Sequence, residues 1–277
     1  MPLKTWNIES GALIGRYLGK NMTNRDELYK ISAKKGKGVK IGKSLCFYSP
    51  EEVYRALTNC RPITRWLNFI SNHYLPPSDK KILLIFPCST EKPYHKSRSY
   101  RILLKTLEAL GDQREAVHLV TISEPFGLVP EEFYGKKSEW HDWKNKWYDC
   151  PGLFEWWCGK YKQPYSDEYV DKSIECLSNY IARFLIKAKA NRCYEMMIAF
   201  VRSYTSQLKT KKDHTHRRIM ERAAEIAKVD VKILPTKNIV SNIVKSNGRM
   251  AWDMYGVAHP LAQDYLLEYL KRVLHGD

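Results

Sequence analysis

Short apolar runs and longer amphipathic segments alternate along the chain from residue 81 onward. The apolar runs KILLIF at 81–86, VHLVTI at 117–122, YEMMIAFV at 194–201 and VDVKIL at 229–234 have the length and composition of buried strands. Apolar residues at helical spacing predict helices over about 99–110, 168–189 and 214–228, and a C-terminal helix after Pro260. This alternation predicts a three-layer α/β sandwich with a mainly parallel central sheet.

Residues 1–80 lack this alternation and are interpreted as an N-terminal extension, followed by an α/β domain over 81–277. Within the extension, Ser49-Pro50 predicts the start of one helix and Pro62 the start of another, so we expect it to be mostly helical. Lysines and glycines alternate over 34–43, which indicates a flexible loop or hairpin. That loop either contacts phosphates or is simply solvated.

The charge balance points to a polyanionic partner. Lys and Arg number 46 against 30 Asp and Glu, a formal net charge of +16, which favours nucleic acid over a small acidic molecule. Basic contacts of this kind position a nucleic acid without reading its sequence, whereas a solvated charged face is the alternative. The candidate phosphate contacts are Lys34, Lys35, Lys37, Arg202, Lys209, Lys211, Lys212, Arg217 and Arg218.

Neither a membrane nor an oxidising compartment is indicated by the sequence. No apolar run approaches the roughly 18 residues that a membrane span needs, and the first residues lack a signal-peptide core. Seven cysteines, an odd number, favour reduced thiols over a disulfide framework. We therefore expect a cytoplasmic protein with no membrane partner.

Cys88 directly follows the first strand of the α/β domain. Ligands of such folds bind beyond the carboxyl ends of the strands. Lys92 lies four residues away and a helix is expected to begin near Ser99, and both an ammonium and a helix N-terminus lower the pKa of a thiol. Cys88 is therefore a candidate nucleophile, with a buried core cysteine as the alternative.

The segment around Cys88 resembles the signature of the archaeosine synthase core. That signature is Pro-Cys, three residues, Lys-Pro-Tyr, two residues and Ser, and it is similar to Pro87, Cys88, Lys92, Pro93, Tyr94 and Ser97. The stretch FGLVPEE at 126–132 and the pair Tyr148-Asp149 resemble two further blocks, so the similarity covers roughly 81–200. The chain departs from the family at Tyr100, where the family usually has His.

The resemblance implies a fold of the uracil-DNA-glycosylase-like class and an enzyme that acts on the nitrile of 7-cyano-7-deazaguanine. Because Tyr100 differs and no tRNA-binding PUA domain is recognised, the chain looks more like the bacterial relative of the Dpd DNA-modification system. We therefore expect a nitrile hydratase that forms a carboxamide on 7-cyano-7-deazaguanine in DNA, with a DNA transglycosylase as a pathway neighbour. The alternatives are transfer of lysine or another amine to the same nitrile in tRNA, and a non-catalytic basic DNA-binding protein.

This chemistry suits the residues. A thiolate adds to a nitrile carbon to give a thioimidate, so Cys88 is the expected nucleophile and Lys92 the expected proton donor. Glu124 or Asp149 is the candidate general base for water, and each has a helix cap or an ion pair as its alternative role. Direct attack by water without a covalent step is left open.

Several residues are candidates for holding the base. They are Ser89, Tyr94, Ser97 and Phe126, the last of which we expect to stack on it. The tryptophans over 140–157 are interpreted mainly as core residues. The chain has no CxxC pair, no HxxxH pair and no glycine-rich phosphate loop, so we predict neither a metal nor a cofactor.

Overall fold

The structure, a computed structural model, describes residues 23–134, 146–203 and 213–276. This part of the chain contains seven strands and ten α-helices, none of which is long and apolar enough to cross a membrane. In chain order they are α1 (Arg25–Ala33), β1 (Lys40–Cys46), α2 (Pro50–Asn59), α3 (Arg61–Asn68), β2 (Ile82–Pro87), α4 (Arg98–Glu108), β3 (Val117–Ser123), β4 (Gly127–Pro130), β5 (Lys146–Asp149), α5 (Glu155–Tyr161), α6 (Asp167–Ala190), β6 (Met196–Phe200), α7 (Thr215–Ala227), β7 (Lys232–Leu234), α8 (Lys237–Asn247), α9 (Arg249–Tyr255) and α10 (Pro260–His275).

The central sheet has the strand order β4-β3-β2-β6-β7. Ile82 of β2 lies opposite Val117 of β3 on one side and opposite Met196 of β6 on the other, and both pairings are parallel. Strand β7 continues the sheet in parallel from β6. Helices α6 and α7 pack together, as do α4 and α10, and they form the helical layers. The predicted α/β sandwich with a mainly parallel sheet is confirmed.

The segment after β3 folds back as the antiparallel strand β4, an element that the alternation of apolar runs does not predict. Gly127 begins this strand with a φ of +63°, in the left-handed region that favours glycine. Leu128 and Val129 are buried against the sheet. A four-residue strand that ends in proline carries too little periodicity to be recognised in the sequence.

The N-terminal extension begins its helix α2 where the sequence predicts it. The Ser49 side chain accepts a hydrogen bond from the backbone N–H of Glu52 at 3.2 Å, and Pro50 occupies the first turn. In α3, the indole N–H of Trp66 donates to the carbonyl oxygen of Phe126 at 3.0 Å. The extension therefore shares a hydrophobic core with the α/β region, and the boundary at residue 80 stays a prediction.

The lysine- and glycine-rich segment is only partly a loop. Its second half forms β1, which pairs in parallel with β5 so that Lys40 lies opposite Lys146. Ile41 and Leu45 of this strand are buried, whereas Lys40 and Lys43 are exposed. Its first half is hydrogen-bonded to the segment that carries Cys88 and Lys92. The backbone N–H of Lys37 donates to the carbonyl oxygen of Lys92 at 2.7 Å.

Candidate active site

A cavity of about 220 Å³ opens at the carboxyl end of the central sheet. The segments that follow β2, β3 and β6 contribute Cys88, Glu124 and Arg202 to it, as expected for ligand sites in parallel α/β folds. The other lining residues are Phe86, Pro87, Ser89, Thr90, Ser99, Cys150, Pro151, Gly152, Phe154, His214, His216, Tyr255, Gly256, Val257 and Ala258.

Cys88, His216 and Glu124 form one connected group in this cavity. The Nε2 atom of His216 lies 2.7 Å from Oε2 of Glu124 and 4.0 Å from Sγ of Cys88. Nδ1 of His216 is buried and has no hydrogen-bond partner within the described ranges, so the polar contacts of the imidazole side chain converge on Nε2. The group therefore brings together a nucleophile, an imidazole and a carboxylate, with one ring nitrogen contacting both of the other groups.

The three groups hold one another in charged forms. Burial alone raises the pKa of the Cys88 thiol, but the hydrogen bond and charge of His216, aided by Lys92, bring it below its ordinary value. Burial lowers the pKa of His216, yet the charges of Glu124 and Cys88 raise it to about 10. Burial likewise opposes ionisation of Glu124, whose pKa nevertheless falls to about 2 beside His216 and Thr215. At neutral pH the site therefore holds an imidazolium and a carboxylate, and the imidazolium favours the thiolate form of Cys88.

The start of α7 places His216 and fixes the carboxylate. His214 is the N-cap, and its Nδ1 accepts a hydrogen bond from the backbone N–H of His216 at 3.4 Å. The hydroxyl of Thr215 donates to Oε1 of Glu124 at 2.7 Å. Because each oxygen of Glu124 has its own partner, the carboxylate has a defined orientation. The pKa of His214 lies well below its ordinary value because of burial and the adjacent His216 charge, so this second imidazole is neutral.

Lys92 lies behind the cavity wall with a side chain that is 1% exposed. Its ammonium donates to the carbonyl oxygen of Ser89 and lies 5.0 Å from the ring centre of Tyr148. Burial lowers the pKa of Lys92, while the charges of Cys88 and Asp149 oppose that shift. The ammonium acts on Cys88 electrostatically, and its role as proton donor stays a prediction.

The predicted base-binding residues have different surroundings. Ser89 lines the cavity, and its hydroxyl donates to the carbonyl of Glu91 at 2.6 Å. Ser97 caps α4 by accepting from the N–H of Tyr100 at 3.3 Å. Tyr94 and Phe126 are fully buried and pack against or bond to Tyr148 rather than lining the cavity. The described cavity wall instead offers Phe154 and Tyr255 as aromatic surfaces.

Asp149, a candidate general base, lies outside the cavity lining in a buried ion pair. Its Oδ2 accepts hydrogen bonds from the ammonium of Lys35 at 2.6 Å and from the hydroxyl of Ser32 at 2.7 Å. The carboxylate is 1% exposed, whereas Lys35 retains 17% exposure. These contacts connect β5 to the N-terminal extension, which favours the ion-pair role over catalysis.

We expect Asp149→Ala to lower the free energy of unfolding by about 3 kcal/mol, since it leaves the partly buried Lys35 ammonium without its anion. Denaturant titration of the purified variant measures this loss. Asp149→Asn is the companion variant. If Asp149 were a general base and not an ion-pair partner, this variant would keep its stability and lose turnover.

The predicted phosphate contacts divide into surface and internal residues. Lys34 and Lys37 are exposed, whereas Lys35 is engaged by Asp149. Arg218 pairs with Asp171 at 2.6 Å. Arg217 is buried and donates to Glu221 and to the carbonyl of Pro235, so it does not present a surface charge. Arg202 lines the cavity, and Lys209, Lys211 and Lys212 lie outside the described residues.

Cys88, Glu124 and His216 are also a possible metal site. Their Sγ, carboxylate oxygen and ring nitrogen all lie within 4.8 Å of one another. Zn²⁺ accepts these three donor types, and catalytic zinc sites leave a fourth position open. The expectation that the protein uses no metal stays a prediction.

We expect added Zn²⁺ to slow alkylation of Cys88 and a chelator to restore it, because coordination withdraws the thiolate electron pair. Iodoacetamide labelling followed by peptide mass spectrometry measures the rate at one cysteine. Cys193, which is partly buried outside the group, serves as the internal control. Equal slowing at both cysteines would contradict a specific site.

Comparison with known proteins finds similarity over the part of the chain that contains Cys88 and Glu124. A family model described as a domain of unknown function, DUF5591, matches residues 63–144. Archaeosine synthase subunit alpha of Thermoplasma acidophilum is 32% identical over 151 residues, which are 54% of this chain and 23% of that protein. The subunit of Methanosarcina acetivorans is 28% identical over 180 residues, 65% of this chain and 23% of the relative. Over these stretches the chain is archaeosine-synthase-like.

The archaeosine-synthase-like similarity confirms the broader resemblance drawn from the Cys88 motif, and closeness to the Dpd-system enzyme stays a prediction. The chain spans less than a quarter of the length of these curated relatives. A crystal structure of AF0587, a protein of unknown function, aligns with 75% of this chain and 50% of that chain. The alignment has 19% identity and a TM-score of 0.42.

Proposed function

We propose that the protein uses Cys88 to attack the nitrile carbon of a 7-cyano-7-deazaguanine base in a nucleic acid. The single observation that carries this proposal is the Cys88–His216–Glu124 group at the cavity. The thiolate forms a C–S bond, the displaced electron pair of the C≡N bond moves to nitrogen, and the imidazolium of His216 supplies a proton. The product of this step is a neutral thioimidate beside a neutral His216.

An amine then attacks the thioimidate carbon. His216 takes the proton that the amine loses, the C–S bond breaks, and the thiolate leaves with an amidine as product. Similarity to archaeosine synthases supports this amine transfer, with lysine as donor and tRNA as acceptor, over hydration. Glu124 contacts the same Nε2 as Cys88, so its charge stabilises the imidazolium that supplies the first proton and that the second proton regenerates.

Hydration of the same base in DNA is the second candidate. Water in place of the amine gives a carboxamide after the thiolate leaves, and the same three residues serve both reactions. The observation that favours it is the departure from the family at Tyr100. In the structure Tyr100 is fully buried and its hydroxyl bonds to Thr121, so it supplies no group to the cavity.

Mass spectrometry of digested nucleosides tests the proposal. Transfer RNA carrying 7-cyano-7-deazaguanine is incubated with the protein and L-lysine, and DNA carrying the same base is incubated with the protein alone. A gain of lysine mass on tRNA supports amine transfer, whereas a gain of one water on DNA supports hydration. Neither gain, despite nucleic-acid binding, would instead favour a non-catalytic binding protein.

A further inference from the structure

Arg202 lines the same cavity as Cys88 but takes no part in the Cys88–His216–Glu124 group. It follows β6, the strand next to β2. Its Nη2 donates to the carbonyl oxygen of Trp252 at 3.3 Å and to that of Asp253. These two main-chain contacts to α9 fix the guanidinium at one side of the cavity.

The guanidinium of Arg202 has no carboxylate partner at ion-pair distance in the part of the chain that the structure describes. Asp253 contacts it through a main-chain oxygen, and Nε of Arg202 is buried without a hydrogen-bond partner. Burial lowers the pKa of Arg202, and only the more distant Asp253 charge opposes that shift. A half-buried cation left unpaired in this way is costly, and an anionic ligand group would offset the cost.

Gly256 lies close against the Arg202 side chain at the cavity wall. Its φ of +55° lies in the region that favours glycine. A Cβ atom there would lie 3.1 Å from Cδ and 3.2 Å from Nε of Arg202. Another residue would strain the backbone there and press on the Arg202 side chain, so glycine allows this wall of the cavity to lie close against it.

We propose that Arg202 binds a carboxylate on the amine that attacks the thioimidate. This inference rests on the proposed function, which brings an amine to the cavity that Arg202 and Cys88 share. A guanidinium forms strong, charge-assisted hydrogen bonds with carboxylates. Arg202 is then the residue that selects amino acids over simple amines, and it binds the second substrate rather than the nucleic-acid backbone.

L-Lysine and cadaverine test this assignment, because they share two amino groups and differ by the α-carboxylate. Binding of each is measured calorimetrically to Cys88→Ala protein saturated with 7-cyano-7-deazaguanosine, which blocks turnover. We expect lysine to bind at least about tenfold more tightly than cadaverine, and Arg202→Met to remove this preference. Arg202→Lys retains a charge and should retain part of it. Arg183→Met, which alters an exposed arginine over Tyr180, is the matched control.

Equal binding of the two amines, or an unchanged preference in Arg202→Met, overturns the assignment. Weaker nucleoside binding with an unchanged amine preference would assign Arg202 to the base instead. The proposed function is tested separately. Mass spectrometry of the wild-type protein, incubated with 7-cyano-7-deazaguanosine and no amine, detects the nucleoside adduct on Cys88. If lysine is preferred through Arg202 but no adduct forms on Cys88, only the covalent mechanism is contradicted. If the adduct forms but lysine is not preferred through Arg202, only the role of Arg202 is contradicted.

Discussion

Cys88→Ala is expected to lower turnover of 7-cyano-7-deazaguanine in nucleic acid by about 10⁴-fold or more. The reason is that the thiolate is the only protein group in the proposed mechanism that forms a bond to the nitrile carbon, and losses of this size follow removal of a covalent nucleophile. The variant should retain its nucleic-acid affinity, because Cys88 lies in the cavity and is not one of the predicted phosphate contacts. Turnover is measured by nucleoside mass spectrometry and affinity by fluorescence anisotropy.

Cys193→Ala is the control for this experiment. Cys193 is also a free, partly buried cysteine, but burial raises the pKa of its thiol and it lies outside the cavity lining. Its removal should leave turnover unchanged. Substantial turnover by Cys88→Ala would show that water or an amine attacks the nitrile directly, with His216 and Glu124 as the essential groups.

His216→Asn is expected to lower turnover by about 10²–10⁴-fold and to raise the pKa of Cys88 above its ordinary value. Without the imidazolium, the largest remaining influence on the thiol is burial, which favours the neutral form. Alkylation of Cys88 as a function of pH measures the shift. The thiolate, which the wild-type protein forms below the ordinary thiol pKa, should then form only at higher pH.

The proposed mechanism also predicts a pH profile for the wild-type protein. We expect turnover to rise as the Cys88 thiol ionises, below its ordinary pKa, and to fall as His216 loses its proton near pH 10. Glu124→Gln removes the charge that holds the proton on His216, so the alkaline fall should move to lower pH. An alkaline limb that stays in place in Glu124→Gln would contradict the ion pair.

The sheet and part of the site could be predicted because they depend on short stretches of sequence. Cys88 and Glu124 each follow an apolar strand, and parallel strands bring their carboxyl ends together. His216 was missed, since its segment is dominated by lysines and arginines and was interpreted as a phosphate contact. The available signal was the His214-Thr215-His216 run at the start of a helix that follows a predicted strand.

Burial explains most of the other differences. Phe126 and Tyr94 have the residue types of a stacking platform, but packing against Tyr148 encloses both in the core. Nothing local distinguishes a buried arginine such as Arg217 from the other basic residues near it in sequence. Strand β1 pairs with β5, and that pairing joins segments far apart in the chain, which periodicity alone does not reveal.

The position of His216 has a consequence for assigning function to similar sequences. The family model ends at residue 144, so it contains Cys88 and Glu124 but neither His216 nor Arg202. A sequence that matches this segment and lacks a histidine at the start of the later helix would retain two charged groups with no imidazole to couple them. If His216 acts as proposed, we expect retention of that histidine, rather than the strength of the family match, to separate active relatives from inactive ones.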